Sequence, residues 1–134
     1  MEYAVVFHAF LYAAALHLLV ASDGRQDIPS DAKLRLAHYS QTIKLVNKHI
    51  QDINGPPSDA LLMAVTTLAV HGSPDARKRE EIHPRSPLAE EQYLHVYGRI
   101  MHAKQHIPAL AALLARKGGL AAMNTYGMAE TIQL

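Results

Sequence analysis

Residues 1–24 read MEYAVVFHAFLYAAALHLLVASDG, and this stretch decides the fold class. Residues 3–21 place apolar groups on nearly every face of a helix, the pattern of a central helix surrounded by neighbours. The Ser22-Asp23-Gly24 cluster ends it. Two membrane readings compete for such a segment, a signal peptide and a short spanning helix. A signal peptide needs a positive start, whereas Glu2 is acidic and the first Lys or Arg is Arg25. A spanning helix would have to carry His8 and His17 through the apolar layer. The expectation is a buried helix of a soluble protein, with no membrane partner.

The rest of the chain extends that reading. Its 134 residues match one domain, 1–134, large enough to hold a core without staples. The absence of cysteine removes disulfides, thiolate nucleophiles and cysteine-based zinc sites, leaving histidine, carboxylate, tyrosine and serine chemistry. Thirteen Lys and Arg against 12 Asp and Glu leave a net charge of +1, far from the concentrated positive charge that phosphate backbones require, so direct nucleic-acid binding is not expected.

A second helix is expected after Pro29, capped by Ser30, with Tyr39, Ile43, Val46, Ile50 and Ile53 along one face. Asn54-Gly55-Pro56-Pro57 stops it, and Ser58 then caps a third helix with Asp59 in the first turn, where negative charge suits the helix dipole. This helix runs to about His71-Gly72 and points apolar groups several ways, so it too should be central. Residues 73–87, with three prolines and mixed charges, read as an exposed, mobile loop. A fourth helix from about Leu88 carries Tyr93, Tyr97 and Ile100 on one face until Pro108 interrupts it. A fifth buries Leu110, Leu113 and Leu114 and stops at Gly118-Gly119-Leu120, and a short sixth occupies residues 125–133. The expected fold is all-α, a compact bundle of five to six helices.

Nine histidines are the groups that titrate near neutral pH. His95, Arg99, His102 and His106 recur at steps of four, three and four, one face if the helix persists to residue 106. That stripe could line a cleft, with Arg99 holding an anion and His102 and His106 sharing a proton or a metal. Without a third ligand or a neighbouring Glu the bland reading is a wet helix face, and neither metal nor cofactor is expected. His8 and His17 lie inside an apolar helix and must each find a partner. Nine steps of roughly 100° turn them to opposed sides, so a satisfied core histidine is the plain reading of each and a pocket-lining acid or base the other. Tyr12 and Tyr97 can bury their rings and leave hydroxyls at a pocket wall between the first, third and fourth helices.

Four segments resemble, in order, the fungal-specific transcription factor domain, the helical regulatory region that follows zinc-cluster DNA-binding domains. FHAFLYAAALHLL (7–19) looks like the early alanine-rich helix, and LAHYSQTIKLVNKHI (36–50) resembles the next, with its tyrosine ahead of an Ile-x-Leu-x-Asn segment. SDALLMAVTTLAVHG (58–72) is similar to the Ser-Asp-capped third helix, and HIPALAALLARKGGLAAM (106–123) to the apolar helix ending in a Gly-Gly-Leu turn. The resemblance implies an all-helical module that binds effectors, contacts proteins or dimerises, without catalysis, inside the cell in nucleus or cytoplasm. It implies a capping or packing role for His106.

Two departures shape the expectation. The zinc cluster is absent, so the family's DNA recognition does not carry over. The family's helical region usually continues past the Gly-Gly-Leu turn, so the sequence reads as a fragment or as a shortened relative. In a shortened relative the uncovered apolar surface would be buried by homodimerisation. The primary functional expectation is a non-catalytic regulatory or interaction module, a homodimer that also accepts a small apolar effector. The alternative is a stand-alone domain recruited to small-molecule biosynthesis, an isomerase or cyclase using His/Tyr acid-base chemistry. That alternative requires at least two of His8, His17, His102, Tyr12 and Tyr97 to converge.

Overall fold

The computed structural model describes residues 2–22, 29–72, 99–125 and 127–132. These residues form helices α1 (Glu2–Ala21), α2 (Pro29–Gln51), α3 (Asp59–Val70), α4 (Ile107–Lys117) and the five-residue α5 (Met128–Ile132). Single 3-10 turns, Lys104–His106 and Leu120–Ala122, flank α4, and no strand occurs among the described residues. The all-α class therefore holds. Four helices of 11 residues or more account for most of it.

α3 is the axis of the fold. Leu61, Leu62, Ala64, Val65, Thr66, Thr67, Leu68 and Ala69 are all buried, because α1 covers one side of it and α4 with its preceding 3-10 turn the other. Its two threonines reach that interior by donating their hydroxyls to the carbonyls of Leu62 and Met63, one turn back. The start is fixed as the sequence implies: Ser58 Oγ accepts the Leu61 N–H at 3.1 Å.

α1 lies antiparallel to α2, since His8 meets His38 while Leu18 shares a groove with Leu34. It runs parallel to α3, with Ala4 beside Leu61 and His17 against His71. Val5, Ala9, Tyr12, Leu16 and Val20, at steps of four, three, four and four, bury completely against these two helices. Burying Val5, Leu16 and Val20 contributes roughly 1.5–3 kcal/mol each. The expectation of a surrounded α1 is corrected on the other face. Tyr3 is 85% exposed, Phe7 59%, Phe10 50% and Leu18 53%. Apolar character all round does not supply neighbours all round: α4 packs on α3, and among the described residues only α2 and α3 contact α1 at length.

On α2 the expected stripe is the packed one, with Val46 buried and Tyr39, Ile43 and Ile50 against the core, and Ile53, just past the helix end, packs there too. The helix begins at Pro29, so Ser30 sits within its first turn instead of capping it. The α4 terminus follows its glycines. Gly118 takes the left-handed conformation (φ 105°), and the Gly119 N–H bonds back to the Leu114 carbonyl at 3.0 Å.

The segment between α3 and α4 differs from expectation. The chain leaves helical geometry at Ile100, and Ala103 is extended. Gly72 donates to the Met101 carbonyl and Ala103 to the Ala69 carbonyl, so residues 101–103 are clamped onto the end of α3. The approach is close enough that a Cβ on Gly72 would lie 2.1 Å from the Ala103 nitrogen, so only glycine fits. The remainder of the expected fourth helix, with Tyr93, His95 and Tyr97, lies outside the described residues, as do Tyr126 and the expected loop at 73–87.

Candidate functional site

The end of α3 collects the chemistry. His71 closes that helix, and its Nδ1 lies 3.1 Å from the Thr67 carbonyl. A carbonyl only accepts, so His71 Nδ1 carries the proton and the neutral ring presents a lone pair at Nε2. That Nε2 faces His17 Nε2 of α1 at 3.0 Å, which makes His17 the donor when both rings are neutral. One turn earlier on α1, the buried Tyr12 hydroxyl donates to the His71 carbonyl at 2.5 Å, while its ring packs on Tyr39 of α2.

The surroundings disfavour protonation of His71. Burial pushes His71 below the ordinary histidine value, the Thr67 carbonyl partly opposes this, and charge on His17 or His102 lowers it further. The position at a helix C-terminus would favour a cation, but desolvation wins.

A second histidine pair joins α1 to α2. His8 Nδ1 and His38 Nδ1 stand 2.9 Å apart, and Phe7 meets the His8 ring edge-on. Burial, then the charge of His8, lowers His38. His38 of this pair lines a groove of about 220 Å³ walled also by Leu11, Leu18, Leu34 and Arg35. Two further clefts are described. One of about 590 Å³ lies near Ala4, Lys48, His49 and Asp52, and one of about 80 Å³ lies at Ile43, Val65, Leu68 and His106.

The remaining polar network ties elements together. Asp59 Oδ2 accepts from the Asn124 N–H at 2.9 Å, the Thr125 N–H at 2.7 Å and the Thr125 hydroxyl at 2.8 Å. Its Oδ1 pairs with Lys117 Nζ at 2.8 Å. Burial alone would raise this carboxyl. The Lys117 ammonium and the donors of Thr125 and Asn124 outweigh it and hold the pKa at about 2.

The expected stripe of Arg99, His102 and His106 is broken, because no single helix carries all three. Arg99 is buried and donates Nη1 to the Val20 carbonyl at the end of α1, a brace across the fold instead of an open anion clamp. His102 is exposed, and its charge acts on His71. His106 precedes α4 without a side-chain cap bond; its Nε2 is buried and has no hydrogen-bond partner among the described residues, and burial lowers its pKa. His8 and His17 do point to different partners, and Tyr12 and His17 meet at His71. Tyr97 lies outside the described residues.

Sequence reasoning missed His71, His38 and the latching role of Asp59. Only the placement of His71 just before the Gly72 stop hinted at a special position. No group of three or more His, Cys, Asp or Glu able to hold a metal ion occurs among the described residues. By length and composition Tyr3–Ala21 is one helix apolar enough to cross a membrane. No protein-family model, no curated protein and no solved structure matches this chain.

Proposed function

We propose that the protein is a non-catalytic helical interaction module that associates with a second copy of itself through the outer face of α1. The observation that carries this reading is the exposed stripe of Tyr3, Phe7, Phe10, Leu11 and Leu18, extended by Leu34 of α2. Together these side chains offer on the order of 600 Å² of apolar surface per copy, so a symmetric pair buries on the order of 1,200 Å², within the range of specific interfaces. Residues 3–21 hold no Lys, Arg, Asp or Glu. Such a surface needs no complementary charge on its partner and suits a two-fold contact with itself. This is the regulatory, dimerising role that the resemblance to the fungal transcription factor domain implies, acting in nucleus or cytoplasm.

Native mass spectrometry over a micromolar to submillimolar series tests it, with Phe10→Glu and Leu18→Glu as face variants checked for helicity by circular dichroism. A wild-type dimer that both variants reduce to monomer is the expected result. A monomer at every concentration, or transfer of wild type onto phosphatidylcholine vesicles in place of dimerisation, overturns the reading. So does a stoichiometric small apolar molecule found where the second subunit should be.

The isomerase or cyclase reading rests on one observation, the meeting of Tyr12 and His17 at His71. It takes second place because the Tyr12 hydroxyl bonds the His71 backbone carbonyl and so braces the pair.

A further inference from the structure

We infer that His17 and His71 form a binding site for an imidazole-seeking divalent transition-metal ion, with Cu²⁺ the best-matched probe. The argument starts from His71. A metal-ligating histidine ordinarily donates its other ring N–H to a carbonyl or carboxylate, which fixes the tautomer and aims the free lone pair. His71 has that anchor in its Nδ1 contact with the Thr67 carbonyl, and its Nε2 is thereby preset as a ligand.

The second ligand is already in place. His17 Nε2 stands 3.0 Å from His71 Nε2, the two nitrogens held by different helices that pack along their length. An ion about 2.0–2.1 Å from both nitrogens would subtend an angle of about 91–97° between them. That is the cis angle of square-planar and tetragonal nitrogen sites, the preference of Cu²⁺ and Ni²⁺. Zn²⁺ would need the rings to part by about 0.3 Å to reach the tetrahedral angle. Water would supply the remaining ligands of a bound ion. Neutral His17 binds as its other tautomer: the hydrogen leaves Nε2 through solvent, one is taken up at Nδ1, and both Nε2 lone pairs are left for the metal with no net release of a proton.

The His8–His38 pair provides the internal contrast. Its Nδ1 atoms are as close, at 2.9 Å, but among the described residues neither ring is anchored by a hydrogen bond at its other nitrogen. Preorganisation therefore favours His17 and His71.

The test is isothermal titration of the metal-free full chain with Cu²⁺ alone, repeated with Zn²⁺. One equivalent of Cu²⁺ should bind more tightly than Zn²⁺. His71→Gln and His17→Gln should each weaken Cu²⁺ binding at least about tenfold, while His38→Gln leaves it unchanged. Electron paramagnetic resonance of the Cu²⁺-loaded wild type reads the site without any variant, and coupling to two equatorial imidazoles is expected. Binding unaffected by either His17→Gln or His71→Gln in folded variants, loss confined to His38→Gln, or a spectrum without imidazole coupling would each overturn the assignment.

Discussion

Replacing Asp59 with Asn isolates the electrostatic part of the latch between the start of α3, the end of α4 and the turn before α5. The substitution keeps the side-chain shape and removes the charge that faces Lys117 Nζ and the N–H groups of Asn124 and Thr125. The magnitude follows from the carboxyl itself, held at about 2 against an ordinary 3.8. At about 1.4 kcal/mol per pKa unit, and discounted for screening at a site near solvent, the charge contributes about 2 kcal/mol. The folded pKa is depressed, so this contribution is complete above the unfolded value of 3.8 and is lost as pH falls through about 2. Urea unfolding followed by circular dichroism, at steps from pH 7 to pH 2, measures wild type and Asp59→Asn side by side. The gap should be about 2 kcal/mol at pH 7 and close between pH 4 and 2, where the protonated acid and the amide become equivalent. A gap that stays constant through that window, or one below about 0.5 kcal/mol at pH 7, refutes the reasoning.

Two further outcomes are expected. Gly72→Ala should cost about 1–3 kcal/mol, because its Cβ would collide with the Ala103 backbone, whereas Gly55→Ala, with nothing within 4 Å, should add no steric cost; paired thermal melts decide this. The lowered pKa values of His71, His38 and His106 mean that the unfolded chain protonates first as pH falls below 6.5. Stability should therefore decline on acidification from that point until the folded rings protonate, and His71→Gln should flatten part of the slope; an unchanged slope in the variant counts against burial as its cause.

How legible this protein is in its sequence depends on the range of each interaction. Local chemistry was readable: Ser58 caps α3, Asn54-Gly55-Pro56-Pro57 separates α2 from α3, and Gly118-Gly119 closes α4, because caps and breakers act within a few residues of themselves. The stripe from Tyr39 to Ile50 was readable for the same reason, since helical period alone puts those positions on one face. The sequence of α1 determined that it is helical and apolar, but an apolar period without gaps has no marked inner side. Which face is covered was decided by where α2 and α3 lie, and the uncovered face became the proposed interface. The stripe of Arg99, His102 and His106 failed because its spacing presumed a continuous helix, and the long-range clamp of Gly72 and Ala69 on residues 101–103 pulls the chain out of helical geometry there. The partners of His8 and His17 stand 30 and 54 residues away. Sequence required that each buried polar ring find one, but only the packing of α1 between α2 and α3 could select His38 and His71, because side-chain pairing across helices follows three-dimensional register and leaves no local period in the chain.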